Sequence, residues 1–263
     1  MILRVGWINF VNTLPFDFEL FEKKENIKKI YGSPAKINRL LYSSKVDIGL
    51  ISSAEYIQNF NKYLILPDLS ISSFKKVHSV VILSNKPLND VDIIYLTKKS
   101  KTSRLLTKIL IKEFLKKDVI YKNLENYSDL EKKTVLLIGD NAIRFSLDKK
   151  FKYIYDLSEL WYRETGLPFV FALWCVNADF YNKNRYEVKQ FFNLLKLTKE
   201  KFFNQIDELI KPFNNIPKDY IKFYLQSLDY GLDEKHLESL KLFNEYLIKH
   251  SLVKEKADFK FIK

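Results

Sequence analysis

The sequence of 263 residues is poor in cysteine and histidine, and this excludes several kinds of site. It has one cysteine, Cys175, so an intramolecular disulfide and a thiolate metal site are both excluded. Cys175 lies in an apolar run, and we expect a small buried side chain there rather than a nucleophile. The three histidines lie far apart and form no HExxH motif. The sequence therefore predicts no metal.

Motifs for nucleotides, covalent catalysis and membranes are also missing. There is no GxGxxG, no GxxxxGK[ST] and no GxSxG, so we expect no nucleotide cofactor and no catalytic triad. No apolar run approaches the ~20 residues of a membrane span. The N-terminus turns polar after Ile8, before the hydrophobic part of a signal peptide could form. We expect a cytoplasmic protein with no membrane partner.

Arginine is scarce although the formal net charge is +12. Lysine carries nearly all of the positive charge, and the arginines are scattered, at Arg4, Arg39, Arg104, Arg144, Arg163 and Arg185. Forked contacts with phosphates and bases favour arginine over lysine. Richness in Asn, Ile, Tyr and Phe is typical of A/T-rich codon usage, which accounts for the lysines as well. We therefore expect no nucleic-acid partner, while a general attraction for anions stays open.

Hydrophobic residues make up 47% of the chain and aromatic residues 15%, which is enough for a sizeable folded core. Short β-rich runs alternate with helical periodicity through the first two thirds, which indicates a mostly parallel sheet. Strands are predicted at 2–8, 27–31, 46–51, 77–83, 92–96, 134–138 and 169–176. Helices are predicted at 13–22, 34–42, 54–60, 103–116, 184–210, 217–228 and 233–249, and a turn at 139–140.

The order of these elements predicts two α/β lobes. One α/β set is followed by a crossing strand, a second α/β set, a second crossing strand and then helices. That order is typical of the two-lobed periplasmic-binding-protein type II fold, in which the ligand lies in the cleft between the lobes. We assign residues 1–84 and 175–263 to lobe I and residues 85–174 to lobe II. Strand ends and helix N-termini would then present N–H groups to an anion.

Polar clusters follow several of the predicted strands. They are Asn9–Thr13, Gly49–Ser53, Ser100–Ser103 and Ile138–Asp140, with Val77–Val80 in the first crossing segment. Any one of them is explained by ordinary helix capping or by a turn. Because successive βα turns meet at one edge of a parallel sheet, the clusters together indicate a small anionic ligand, such as a carboxylate.

The same segments carry a resemblance over nearly the whole chain. They are Gly6–Pro15, Asp47–Tyr56, Leu66–Ser72, Val77–Val80, Ser100–Ser103, Leu137–Ala142, Asp156, Trp161, Thr165–Ala172 and Leu225–Tyr230. In this order they resemble the MqnA-type chorismate dehydratases of the futalosine route to menaquinone. The resemblance implies a hydro-lyase that converts chorismate to 3-[(1-carboxyvinyl)oxy]benzoate and water. It implies a small-molecule partner and leaves the choice between monomer and homodimer open.

Two alternative functions fit the same fold. The sister enzyme, 1,4-dihydroxy-6-naphthoate synthase, is similar, but its N-terminal Ser-Pro-Cys-Pro-Asn-Asp pattern is replaced here by Asn-Thr-Leu-Pro. A non-catalytic binding or sensor protein for a small carboxylate is the second alternative. The lack of a signal peptide argues against a periplasmic receptor, and the lack of a DNA-binding module argues against a transcriptional regulator.

The resemblance also implies roles for individual residues. Asn12 is expected near the reacting carbons, and Asp140 is expected either to help the hydroxyl leave or to hold the loop. The predicted substrate-binding residues are Ser52, Ser53 and Ser79 for one carboxylate or the ether oxygen, Ser100, Thr102 and Ser103 for the other carboxylate, and Gly139 and Gly166.

No convincing protein base is present among these residues. His78 alternates with Ser79 along a predicted strand, so it would face away from the cleft. The substrate's own enolpyruvyl carboxylate is then the candidate base, with the protein supplying position and fixed dipoles. Five aromatic residues are expected either to wall the cleft or to belong to the core: Trp7, Phe10, Trp161, Phe169 and Phe171.

Overall fold

The computed structural model describes residues 1–213 and 215–263. The strands are β1 (Leu3–Trp7), β2 (Ile27–Tyr31), β3 (Ile48–Ser52), β4 (Tyr63–Ser73), β5 (Val80–Ser84), β6 (Ile93–Leu96), β7 (Ile120–Asn123), β8 (Thr134–Ile138), β9 (Tyr153–Asp156) and β10 (Phe169–Asn177). The α-helices are α1 (Pro34–Tyr42), α2 (Ser53–Gln58), α3 (Lys101–Ile109), α4 (Gly139–Leu147), α5 (Leu157–Thr165), α6 (Ala178–Lys183), α7 (Arg185–Asn204), α8 (Ile206–Leu209), α9 (Lys218–Ser227) and α10 (Glu234–Lys249).

The strands form two mixed sheets of the same design. The first sheet has the order β2-β1-β3-β10-β4 and the second has the order β7-β6-β8-β5-β9. In each sheet three parallel strands come first and are followed by one strand that runs antiparallel to both of its neighbours. The two sheets and the helices around them are called the first and second lobes below. The predicted two-lobed α/β fold is confirmed.

Sheet pairing moves the predicted lobe boundaries. Strand β5 was assigned to lobe I, but it pairs with β8 and β9 in the second sheet. Residues 169–174 were assigned to lobe II, but they lie in β10, between β3 and β4 of the first sheet. The chain therefore passes between the sheets at 74–79 and at 157–168. A buried apolar strand carries no sequence signal for the sheet that it joins, so the boundaries 84/85 and 174/175 are corrected here.

Close packing of α1 against the first sheet depends on glycine. Ser33 caps α1 by accepting a hydrogen bond from the Lys36 N–H, and Pro34 occupies the first turn, where its missing N–H costs nothing. Ile37 then packs over Gly6. A Cβ added to Gly6 would lie 2.7 Å from the Cγ2 atom of Ile37. A side chain at position 6 would therefore push α1 away from the strands. This contact brings the next residue, Asn38, to the end of β3.

Two local predictions are wrong. Residues 13–22 do not form an α-helix but two 3₁₀ turns, Val11–Phe16 and Phe18–Leu20. The Thr13 hydroxyl donates back to the Ile8 carbonyl at 2.7 Å instead of capping a helix that follows. Gly139 and Asp140 are not a turn, since they begin α4.

Most other elements lie within a few residues of their predicted bounds. Helix α3 ends at Ile109, however, and continues as a π-helical turn at Leu110–Phe114. The prediction of a buried Cys175 is confirmed, because its side chain is fully buried in β10. Within the part of the chain that the structure describes, no helix has both the length and the apolar character needed to cross a bilayer.

Candidate active site

A small cavity of about 70 Å³ lies between the two sheets, where strand ends meet the starts of the following helices. Both lobes and the 74–79 linker contribute to its wall. The polar lining residues are Asn12, Thr13, Ser52, Ser79, Ser100 and Ser103. The other lining residues are Ile8, Phe10, Pro34, Leu50, Ile71, Val77, Val80, Ile138, Gly139, Phe171 and Ala172. The lining therefore combines apolar surface with hydroxyl and amide groups and includes no charged side chain.

Ser52 is oriented by two donors within the first lobe. Its Oγ accepts hydrogen bonds from Asn38 Nδ2 at 3.1 Å and from the Glu55 N–H at 3.3 Å, while its own N–H donates to Asn38 Oδ1 at 3.2 Å. A hydroxyl has two acceptor lone pairs and one proton. Because both lone pairs are used, the Ser52 proton is left for an acceptor in the cavity.

Ser79 is oriented from the other side of the molecule. The Tyr224 hydroxyl donates to Ser79 Oγ at 2.8 Å, and the Ser79 carbonyl accepts from the Gly139 N–H at 2.7 Å. The Ser79 hydroxyl can therefore donate into the cavity that it lines. His78 is not a lining residue, and its ring packs against Phe223 on a surface groove. The cause is not strand alternation, because His78 has a φ of 57° and precedes β5.

Asn12 lines the cavity, and Asp140 contacts the backbone of the neighbouring residue, Val11. Among the described residues, Asn12 Oδ1 is a buried acceptor that has no hydrogen-bond partner. Asp140, in the first turn of α4, accepts from the Val11 N–H at 3.3 Å and is not a lining residue. Asp140 thus holds the backbone of the 3₁₀ turn that carries Asn12.

The Tyr224 phenol stays protonated beside these two residues. Burial raises its pKa, the hydrogen bond with Ser79 opposes that shift, and the nearby charge of Asp140 raises the pKa further. The Tyr224 hydroxyl is therefore a permanent donor at neutral pH.

The second-lobe hydroxyls divide into two groups. Ser100 caps α3 by accepting from the Ser103 N–H at 3.2 Å, and the two hydroxyls are 2.9 Å apart in the cavity wall. Thr102 points elsewhere, because its Oγ1 accepts from the Ala54 N–H at 2.9 Å and lies 3.3 Å from Ser53 Oγ. Thr102 and Ser53 were predicted to bind substrate, yet neither is a lining residue, and together they form a contact between α2 and α3.

The two predicted glycines lie in different places. Gly139 lines the cavity with a φ of 61°, and a Cβ added there would meet the Phe10 ring at 3.1 Å. Gly166 is the C-cap of α5 with a φ of 71°, and it is not a lining residue. Left-handed backbone at a helix C-terminus is the ordinary use of glycine, so the structure gives Gly166 a backbone role.

The aromatic residues divide in the same way. Phe10 and Phe171 line the cavity, whereas Trp7, Trp161 and Phe169 are buried in the core. Sequence reasoning missed Asn38 and Tyr224, which are both almost fully buried. A signal for Asn38 was available, since it sits beside Ile37 on the apolar side of α1 and a buried amide requires a partner. Tyr224 gave no such signal, because tyrosine is common in cores.

No metal centre is visible in residues 1–213 and 215–263, where no three His, Cys, Asp or Glu side chains gather as metal ligands would. The cavity wall instead offers hydroxyl protons at Ser52 and Ser79, a capped helix start at Ser100 and the amide side chain of Asn12. Such a set can bind a carboxylate and a hydroxyl at the same time without any charged side chain.

The fold and this cavity define a protein of the periplasmic-binding-protein-like class whose two lobes enclose a small polar site. The same fold is seen in a protein of Archaeoglobus fulgidus, with a TM-score of 0.73 and 17% identity over 95% of this chain and 98% of that one. The family model for menaquinone biosynthesis matches residues 3–249, and the chain belongs to that family.

A second solved structure shares the fold, and two sequence relatives are named chorismate dehydratase. The periplasmic aliphatic sulphonate binding protein SsuA of Escherichia coli has a TM-score of 0.68 and 13% identity, over 98% of this chain and 95% of its own. Chorismate dehydratase of Thermus thermophilus is 28% identical over 267 aligned residues, which cover 92% of this chain and 94% of that protein. Chorismate dehydratase of Campylobacter jejuni is 33% identical over 173 residues, or 64% of each chain. The resemblance seen in the sequence is confirmed.

Proposed function

We propose that the protein is a chorismate dehydratase that removes water from chorismate to give 3-[(1-carboxyvinyl)oxy]benzoate for menaquinone biosynthesis. Its family and its similarity to two chorismate dehydratases support this proposal. The structural observation that carries it is the cavity between the lobes, in which hydroxyl groups from both lobes converge with Asn12. We further propose that it works in the cytoplasm, as a monomer or a homodimer.

The dehydration requires little from the protein beyond binding the substrate and polarising its ring carboxylate. The C3 proton and the C4 hydroxyl leave and the ring becomes aromatic, so the reaction is downhill. A carbanion at C3 is conjugated through the ring alkene to the ring carboxylate. Donors that are already oriented towards that carboxylate stabilise its growing charge at no cost of reorganisation. The hydroxyls of Ser52 and Ser79 are donors of this kind.

We assign the two carboxylates of chorismate to the two sides of the cavity. Ser52 and Ser79 hold one of them, and Ser100 and Ser103 at the start of α3 hold the other. The charge of a carboxylate is favoured at a helix N-terminus. Ser53 and Thr102 then act indirectly, by joining α2 to α3 beside the substrate.

The leaving hydroxyl is assigned to Asn12. A buried acceptor without a partner is costly unless a ligand supplies the donor. The C4 hydroxyl of chorismate is such a donor. Asp140 was expected either to assist departure of the hydroxyl or to hold the loop. Its hydrogen bond from the Val11 N–H supports the second role, in which Asp140 positions the turn that carries Asn12.

The base is assigned to the substrate. Among the described residues that line the cavity there is no histidine, carboxylate or lysine that could take the C3 proton. The enolpyruvyl ether of chorismate is attached to C3 itself, so its carboxylate can accept that proton within the bound molecule. The contribution of the protein is then to hold the substrate in the reactive conformation.

The deciding experiment is to incubate the purified protein with chorismate and to search by mass spectrometry for a product lighter by one water. Conversion supports the proposal. Binding of chorismate without conversion would favour a non-catalytic binding protein of the same fold. Conversion of a cyclic futalosine derivative, but not of chorismate, would favour the sister naphthoate synthase.

A further inference from the structure

We propose that Tyr224 is a positioning residue that acts through Ser79 and is required for efficient dehydration. The inference rests on the proposed function. Tyr224 lies on α9, among the C-terminal helices, and it does not line the cavity. Its effect on the substrate is therefore exerted through Ser79, to which it donates a hydrogen bond.

Tyr224 is the donor in its hydrogen bond with Ser79. It is 1% exposed, and its hydroxyl donates to Ser79 Oγ at 2.8 Å. Its single proton is used in this bond, and one acceptor position of the Ser79 hydroxyl is filled by it. The phenol and the Ser79 hydroxyl therefore form one chain of donors that ends at the cavity.

The consequence is that one buried phenol sets the direction of the Ser79 hydroxyl. With an acceptor position on Ser79 filled, its proton is directed to the substrate. Without the phenol hydroxyl, Ser79 can rotate its proton to another acceptor. Small errors of this kind in the position of a catalytic group can lower turnover by as much as about 10²-fold.

A double-mutant cycle tests this inference, with Tyr224→Phe, Ser79→Ala and the two combined. Tyr224→Phe keeps the ring and the packing, so we expect unchanged thermal unfolding and a fall in kcat of about 30-fold, with KM changed much less. The fold-loss of kcat in the combined variant should be smaller than the product of the two separate fold-losses by at least about tenfold. The matched control is Tyr220→Phe, which removes a hydroxyl from the same helix next to His78 and should leave the kinetics unchanged.

Two outcomes would overturn the proposal. One is a Tyr224→Phe variant with kinetics equal to those of the Tyr220→Phe control. The other is a combined variant whose loss equals the product of the two single losses, because Tyr224 would then act independently of Ser79.

The cycle also separates this inference from the proposed function. If the wild-type protein binds chorismate but does not convert it, the proposed function fails, and the same four proteins are compared by the Kd of chorismate from titration calorimetry. Non-additive losses in affinity would support the positioning role, and additive losses would overturn it. A wild-type protein that neither binds nor converts chorismate would overturn both.

Discussion

The two serine hydroxyls that we assign to the same carboxylate are oriented in different ways. Ser52 is held by Asn38, which lies 14 residues away in the same lobe on a helix packed against the same sheet. Ser79 is held by Tyr224, which lies 145 residues away in the C-terminal helices. The Ser52 side of the cavity is formed within the first lobe, by the packing of α1 against its sheet. The Ser79 side forms only when the linker, α4 and α9 have all come together.

The two partners, Asn38 and Tyr224, should affect different properties of the protein, namely its stability and its activity. Asn38 exchanges two hydrogen bonds with Ser52, and one of them satisfies a buried backbone N–H, so its loss should weaken the fold. Tyr224 gives one hydrogen bond to a hydroxyl that can find other partners, so its loss should be visible mainly in kinetics. Substitutions on the two sides should therefore have different signatures.

Asn12→Asp should have the largest effect, and it falls on the Ser79 side. It would place a negative charge beside Asp140 and next to a substrate that carries two carboxylates. Like charges at close range in a buried site repel strongly, and we expect kcat/KM to fall by at least about 10²-fold. Steady-state kinetics with chorismate provides the measurement. Turnover within threefold of wild type would remove Asn12 from the site.

Asn38→Ala tests the Ser52 side. It leaves the Ser52 N–H buried without its partner, and we expect the free energy of unfolding to drop by about 2 kcal/mol. Turnover should fall as well, because the Ser52 proton is no longer directed into the cavity. Denaturant unfolding and kinetics on one preparation measure both effects.

The matched control for Asn38→Ala is Asn193→Ala, an exposed asparagine inside α7. It has the same gain in helix propensity without the loss of these hydrogen bonds. Equal stability of the two variants would contradict the structural role of Asn38, and a folded but fully active Asn38→Ala would remove Ser52 from the substrate.

The sequence predicts the local parts of this site and misses the long-range ones. Ser52 and Ser100 are helix caps, and a strand followed by a cap residue is readable from a few neighbouring positions. Asn38 and Tyr224 become partners of the site only through packing between segments that no local pattern connects. The contact between Ser53 and Thr102 has the same origin. Hydroxyls at two helix starts look alike in sequence, and only the approach of α2 to α3 shows which of them meet each other.

The lobe boundaries were likewise not predictable from local sequence. Residues 80–83 and 169–174 are correctly predicted as apolar strands, yet the sheet to which each belongs depends on partners far along the chain. The positions of the strands follow from local composition. Their membership of a sheet is decided by tertiary pairing.

Gly166→Ala should have a smaller effect that lies outside the comparison of the two serines. Its φ of 71° is unfavourable for a residue with a Cβ, while the space around it is open. The cost is then only that of the backbone conformation, about 1 kcal/mol of unfolding free energy. We expect unchanged KM and kcat for chorismate. A rise in KM with unchanged stability would instead support the sequence-based prediction that Gly166 binds substrate.

Glu113→Gln should have the smallest effect at neutral pH, and it tests how the C-terminal helices dock. Glu113, in the π-helical turn after α3, accepts from Lys249 Nζ at 2.8 Å and contacts His250 at the end of α10. The hydrogen bond from Lys249 lowers the pKa of Glu113, although burial opposes this. We expect a loss of about 0.5 kcal/mol of unfolding free energy at pH 7.

The pH dependence of that loss has a definite sign. Because the folded-state pKa of Glu113 lies below its ordinary value, the stabilisation is fully present above that ordinary value, near 4.5, and is lost as the pH falls through the lowered pKa. Thermal unfolding of wild type and variant should therefore converge in acid. The control is Glu245→Gln, which removes an exposed pair with Lys256 and should change little at any pH. If Glu113→Gln also lowered kcat, docking of the C-terminal helices would be coupled to the Ser79 side, where Tyr224 of α9 donates to Ser79.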